Sequence, residues 1–249
     1  MWPRRSDALF IGLSTTQVAW QFAGSAAHVG SVSVPRGQFD QVVAMIESPS
    51  MPSRVPDIHM VAGGSVARHW LQTAPPGLRS LSELQAFVKS RADQLFGGDP
   101  GWVVAADWHA TRPFLCAALP GGIERLASAM AIAKRATSHL ATTLTLALAQ
   151  HARNFPADGW AVLHEPEALH LMYISAGKLE YFRTAVVPVG LEALALEDEV
   201  GAEVARSSAL AGGLPTGPLT ILPMNQDPGA TQANAALKRA MRLGGAPKP

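Results

Sequence analysis

The apolar and polar positions of this chain fall into short runs that switch between period two and a helical period, and one three-strand motif occurs twice. Residues 7–13 form a continuous apolar run. Ser14, Thr15 and Thr16 make a tight polar turn, and residues 17–22 alternate as a partner strand. Residues 26–34 alternate more clearly, with Val29, Val32 and Val34 separated by Gly30, Ser31 and Ser33, and Pro35 closes the strand. The same order returns over 159–188. Strands are expected at 160–163, 168–174 and 179–187, with turns at Glu165-Pro166-Glu167 and Ser175-Ala176-Gly177-Lys178, and with Pro188 in the place of Pro35.

Each copy is followed by helices and a short buried strand. Phe39, Val42, Val43 and Ile46 stand at helical spacing within 38–47, and the proline-rich segment 48–56 reads as a loop. A strand at 58–62 ends at Gly63-Gly64, and a helix is expected through Val66, Trp70 and Leu71, broken by Pro75-Pro76-Gly77. Ser80 with Glu83 is a capping-box pattern. It opens a helix whose apolar face runs from Leu81 to Phe96 and which Gly97-Gly98 ends. Strands at 102–106 and 114–119 follow, then a helix from 123 to about 135. Residues 140–149 fit both periods, and their alanine and leucine content favours helix. After the second copy come a helix over 191–210, a strand at 219–222 and a last helix over 231–242. The basic end of that helix (Lys238, Arg239, Arg242) suits its negative pole. Two lobes built from the same three-strand start predict an α/β protein with a duplicated ribonuclease-H-like (actin-like ATPase) fold. Mixed sheets flanked by helices are expected at 7–137 and 138–242, with a frayed tail at 243–249.

Composition narrows the function classes. Of 249 residues, 48% are hydrophobic and 16% charged, which fits a well-buried globular chain. The net charge of +1, with no run of Lys and Arg alternating with aromatics, gives no case for nucleic acid. The single cysteine, Cys116, rules out an internal disulfide and a Cys-rich metal site, and reads as a small core residue suited to a reducing compartment. The segment after the N-terminal MWPRR is too short and interrupted for a signal peptide. The apolar region 126–150 carries Lys134, Arg135 and His139, so no membrane span is expected and the chain should be soluble.

The run WVVAADWHATRPFLCAALP, the helices over 123–153 and GWAVLHEPEALHLMYISAGKLEYFRTAVV together resemble bacterial PilM-type proteins and the cytoplasmic part of GspL-type proteins. These are actin-like assembly-platform components of type IV pili, MSHA-type pili included, and of type II secretion systems. The resemblance spans roughly residues 7–222 and rests on element order and diffuse patterns. Actin-like ATPases hold phosphates with the turn after the first strand of each lobe, where a D-x-G pattern supplies a carboxylate for the metal and a glycine for close backbone approach. Here the first turn keeps Gly12, Ser14 and Thr15 but has Phe10 at the carboxylate position. The second has His164 at that position and Pro166 at the glycine position, with Glu165 one residue late. The late Gly-Gly pair for adenosine is missing too, since Pro223, Met224 and Asn225 follow the strand.

An active PilM-like protein binds ATP; the three departures from that pattern point instead to a pseudo-ATPase, not an enzyme: a cytoplasmic scaffold with no cofactor. It would reach the inner membrane by binding a short cytoplasmic segment of a pilus or secretion platform protein, with an assembly ATPase as a second partner. Trp70, Trp102 and Trp108 are the candidate anchors for such a segment. The alternative is an actin-like ATPase or small-molecule kinase, with ATP and magnesium held by shifted motifs that include Glu165. Among eight histidines the closest approach to a metal cluster is His164-Glu165 with His170, which reads as a surface turn, so no metal is expected. Asp107-Trp108-His109 reads as a turn with an Asp cap and a Trp closing the core. No G-x-S-x-G, Walker loop or G-x-G-x-x-G occurs.

Overall fold

The computed structural model describes residues 8–14, 17–22, 29–34, 42, 54–64, 66–98, 101–151, 153–165, 168–187 and 193–222. Strands β1 (Ala8–Leu13), β2 (Gln17–Phe22) and β3 (Val29–Ser33) form the first antiparallel meander, and β4 (Asp57–Ala62) joins β1 in parallel. Because side chains alternate along a strand, Leu9, Ile11 and Leu13 share a face with Ile58, Met60 and Ala62 and form the first core. Phe10 lies on the opposite face, stacked on His59 with ring centroids 5.3 Å apart.

An insertion follows. It comprises β5 (Arg68–Gln72), helix α1 (Leu81–Phe96), β6 (Val103–Ala106) and β7 (Phe114–Leu119), the strands forming a separate sheet in the order β5-β7-β6. The helix expected through Val66, Trp70 and Leu71 is thus strand β5. A five-residue segment with only Trp70 and Leu71 apolar is ambiguous by periodicity, and antiparallel pairing with β7, more than forty residues on, decides it. Helix α1 starts as its sequence indicates. The Ser80 hydroxyl accepts from Glu83 N–H, the Glu83 carboxylate accepts from Arg79 N–H, and Gly97 at φ +83° ends the helix. Trp70, Trp102, Phe114 and Cys116 pack with Leu84, Val88 and Ala92 between sheet and helix.

Helix α2 (Gly121–Lys134) returns over the first sheet, seating Ile123, Leu126 and Met130 in its core. The ambiguous segment then divides: β8 (Thr137–Thr142) pairs in parallel with β4, and helix α3 (Thr143–His151) begins at the next residue. The first sheet has the order β3-β2-β1-β4-β8, so the lobe boundary expected at 137/138 falls at the start of a strand belonging to the first sheet. The second copy is β9 (Gly159–Glu165), β10 (Ala168–Ser175) and β11 (Lys178–Val186), then helix α4 (Ala193–Leu210) and β12 (Leu219–Leu222). Its order, β11-β10-β9-β12 with β12 parallel to β9, repeats β3-β2-β1-β4. Gly159 fixes this junction. It sits at φ +122°, and a Cβ there would lie 2.4 Å from the Pro218 carbonyl oxygen, beside the Trp160 N–H to Pro218 bond of 2.8 Å. Trp160, Val162, Leu169 and Leu171 form one core with Val200 and Val204 of α4. The helix expected over 38–47, apart from the buried Val42, lies outside the described residues, as do the helix over 231–242 and the tail. No described helix is long and apolar enough to cross a membrane.

Candidate functional site

The second three-strand motif has two faces, and they separate the two candidate residues at its first turn. Ala161, Leu163 and Glu165 share one face of β9, and His164 shares the other with Trp160 and Val162. Sequence reasoning places Glu165 in a surface turn. It is instead the last residue of β9, paired with Ala168, and only 1% exposed. Its face is the one turned toward the first half of the chain, and this explains the burial.

Three donors from three places meet the Glu165 carboxylate. Gly64 N–H, in the turn after β4, donates to Oε2 at 2.8 Å. The hydroxyl of Thr143, first residue of α3, donates to Oε1. His170 Nε2 lies 3.0 Å from the same oxygen. A carboxylate only accepts, so that nitrogen carries the proton, and Nδ1, 3.0 Å from Thr184 Oγ1, is left to accept the hydroxyl when the ring is neutral. His170 is 0% exposed. Residues from the first lobe, the connecting helix and the second lobe thus close on one acid. Burial alone pushes the Glu165 carboxyl up. The hydrogen bond and charge of His170, with the bonds from Thr143 and Gly64, outweigh it and bring the group down to about 2.

A second polar chain lies alongside. His69 Nε2 is 3.0 Å from Thr142 Oγ1, which is 2.8 Å from Thr145 Oγ1, and the His69 ring meets His170 edge-on at 5.7 Å. Burial, then the charge of His170, push His69 down to about 3. The contact between the halves is close. A Cβ on Gly64 would stand 3.0 Å from Glu165 Oε2 and 3.2 Å from His170 Nε2, so any side chain there would push these two groups back by a few tenths of an ångström.

The remaining candidates separate widely. Gly12 is buried in β1, and Ser14 caps the β1–β2 turn: its hydroxyl accepts from Gln17 N–H at 3.0 Å and contacts the Gln17 carbonyl at 3.1 Å. Thr15 and Pro166 lie outside the described residues. His164 is half-buried and burial lowers its pKa, with Glu165 opposing. Trp70 and Trp102 are interior, the latter donating from Nε1 to the Gly97 carbonyl at 2.6 Å, so neither is presented to a partner. Trp108 packs against Phe114 and keeps partial exposure, whereas the Asp107 side chain caps no group among the described residues, its N–H donating to the Leu115 carbonyl. His109 organises that turn by accepting from Thr111 and Arg112 N–H. Cys116 is a core thiol that burial pushes up to about 12.

His164, Glu165 and His170 do not form a metal site: His164 faces away, and the other two bond to each other. No group of metal-ligating side chains that could hold an ion occurs among the described residues. Gly64, Thr143 and Thr184 are the members of this cluster that sequence reasoning missed. Gly64 and Glu165 are separated by 101 residues, and no local pattern marks such a pair.

Element order and the duplicated sheet topology are those of an actin-like fold. No protein-family model matches the chain, and no curated protein does. Solved structures do. A chain of the PilM–PilN type IV pilus biogenesis complex matches with TM-score 0.51 at 12% identity, covering 97% of this chain and 98% of that one. The cytoplasmic domain of EpsL, an inner-membrane component of the type II secretion system of Vibrio cholerae, matches with TM-score 0.48 at 14% identity, covering 95% of each. A Bacteroides thetaiotaomicron protein with an actin-like ATPase fold matches with TM-score 0.48 at 10% identity, covering 83% of this chain and 78% of that one.

Proposed function

We propose that this chain is a non-catalytic, actin-like scaffold of a type IV pilus or type II secretion inner-membrane platform, with phosphate-binding turns that no longer hold nucleotide. One observation carries the reading. Glu165, the acid nearest the second phosphate turn, is saturated by Gly64, Thr143 and His170 and buried between the halves. A carboxylate so engaged has its lone pairs directed at protein donors. To hold hydrated magnesium it would have to give up all three bonds and its burial. At the first turn, Phe10 stacks on His59 where a D-x-G motif would present an acid.

The fold shared with a chain of a pilus biogenesis complex supports placing the protein on such a platform. Its partner in this reading is an inner-membrane protein with a short cytoplasmic segment, which would hold it peripherally at that membrane; an assembly ATPase is the second. Crosslinking in the native host followed by affinity purification tests the role. Recovery of an inner-membrane protein with a short N-terminal cytoplasmic segment is expected, and a preparation without any membrane protein would contradict it.

A further inference from the structure

The insertion sheet has two unlike faces. Phe114, Cys116 and Ala118 of β7 are sealed against α1, while Leu115 and Ala117 point the other way, into a cleft of about 520 Å³. The cleft lies between the β6–β7 hairpin, α3 and the β10–β11 turn. That volume is in the range of ligand-binding clefts. Its floor is built from Ala105 and Ala117, whose small side chains leave a recess, with Leu115 beside them, and Leu148 of α3 supplies an apolar wall. The far lip is held in place: Ala176 N–H donates to Asp158 Oδ1 at 2.8 Å, and Gly177 N–H to the Ala157 carbonyl at 2.8 Å.

Two features say what fits. Arg112 and Lys178 line the cleft from its two sides, are exposed, and form no ion pair among the described residues, against the single acid Asp107. The cleft also reaches β6, the outer strand of its sheet, through Ala105 and Ala106, and the outer edge of β6 pairs with no described strand. A strand edge with no described partner, beside an apolar recess, suits an extended polypeptide better than a compact small molecule.

We infer that this cleft binds an extended partner segment with apolar side chains over Ala105 and Ala117 and a carboxylate between Arg112 and Lys178. This rests on the recognition role proposed above and names the chemistry of the partner. The test is selection of a random displayed peptide library on the full chain, with fluorescence polarisation of the enriched peptides. Enriched sequences should combine alternate apolar residues with an Asp or Glu. Ala105→Trp, which fills the recess from an exposed position, should weaken their binding at least tenfold while its circular-dichroism melt stays that of the wild type. The double variant Arg112→Glu/Lys178→Glu should select Lys- or Arg-bearing peptides instead. Enriched peptides that lack acids, that bind Ala105→Trp equally well, or the absence of any enrichment, would overturn the inference. The crosslinking experiment reads the platform role independently, because a membrane partner recovered there can engage another surface.

Discussion

At the scale of single residues, the balance at Glu165 is between burying a carboxylate and the donors that meet it, and the donors win. Removing one member leaves the others buried and unpaired, which is the costly case. Glu165→Gln is therefore expected to destabilise the fold by about 3 kcal/mol in urea unfolding. Gly64→Ala, whose methyl would meet Oε2 at 3.0 Å, should cost about 1–3 kcal/mol by pressing the Glu165 carboxylate out of its hydrogen bonds. The clasp also sets a pH dependence. His69, at about 3 against an ordinary 6.5, binds fewer protons folded than unfolded. Its contribution is complete above pH 6.5 and is lost as pH falls toward 3. Glu165, at about 2 against 4.5, loses its contribution lower, as pH falls from 4.5 toward 2. The melting temperature should thus fall in two stages on acidification. His69→Gln should flatten most of the first stage, to which the half-buried His59 and His164, also lowered, add a smaller share.

At the scale of elements, the meanders were legible because a continuous apolar strand followed by two further strands, with polar turns between them and a closing proline, occurs twice; all six strands overlap the ranges the pattern gives. The failures share one cause. Residues 68–72 (RHWLQ) and 137–142 (TSHLAT) are short and mix polar with apolar positions, so their local pattern is weak, and distant partners, β7 and β4, decide them. The clasp was partly legible. Glu165 and His170 stood out by chemistry, but their burial follows from which face of β9 meets the first lobe, a fact of tertiary packing. Gly159 shows how tightly one element can depend on one residue. Gly159→Ala combines a left-handed backbone with a contact to Pro218, and should lower stability by about 2 kcal/mol or more, read by thermal melting.

At the scale of the molecule, the two sheets repeat an order known from nucleotide-binding proteins, while the polar groups between them bond to one another. A duplicated fold keeps its cores through apolar patterning and loses ligand chemistry through a few turn residues, so fold and activity can part company. In the function proposed above, Phe10 and His164 stand where acids would be; Glu165 ties the halves together. The most direct test is a thermal melt of the wild type and of Glu165→Gln, each with and without millimolar ATP and magnesium. The account predicts that the substitution lowers the midpoint by roughly 6 °C or more and that nucleotide shifts neither protein. A rise in the wild-type midpoint with ATP and magnesium that is absent from Glu165→Gln would contradict it.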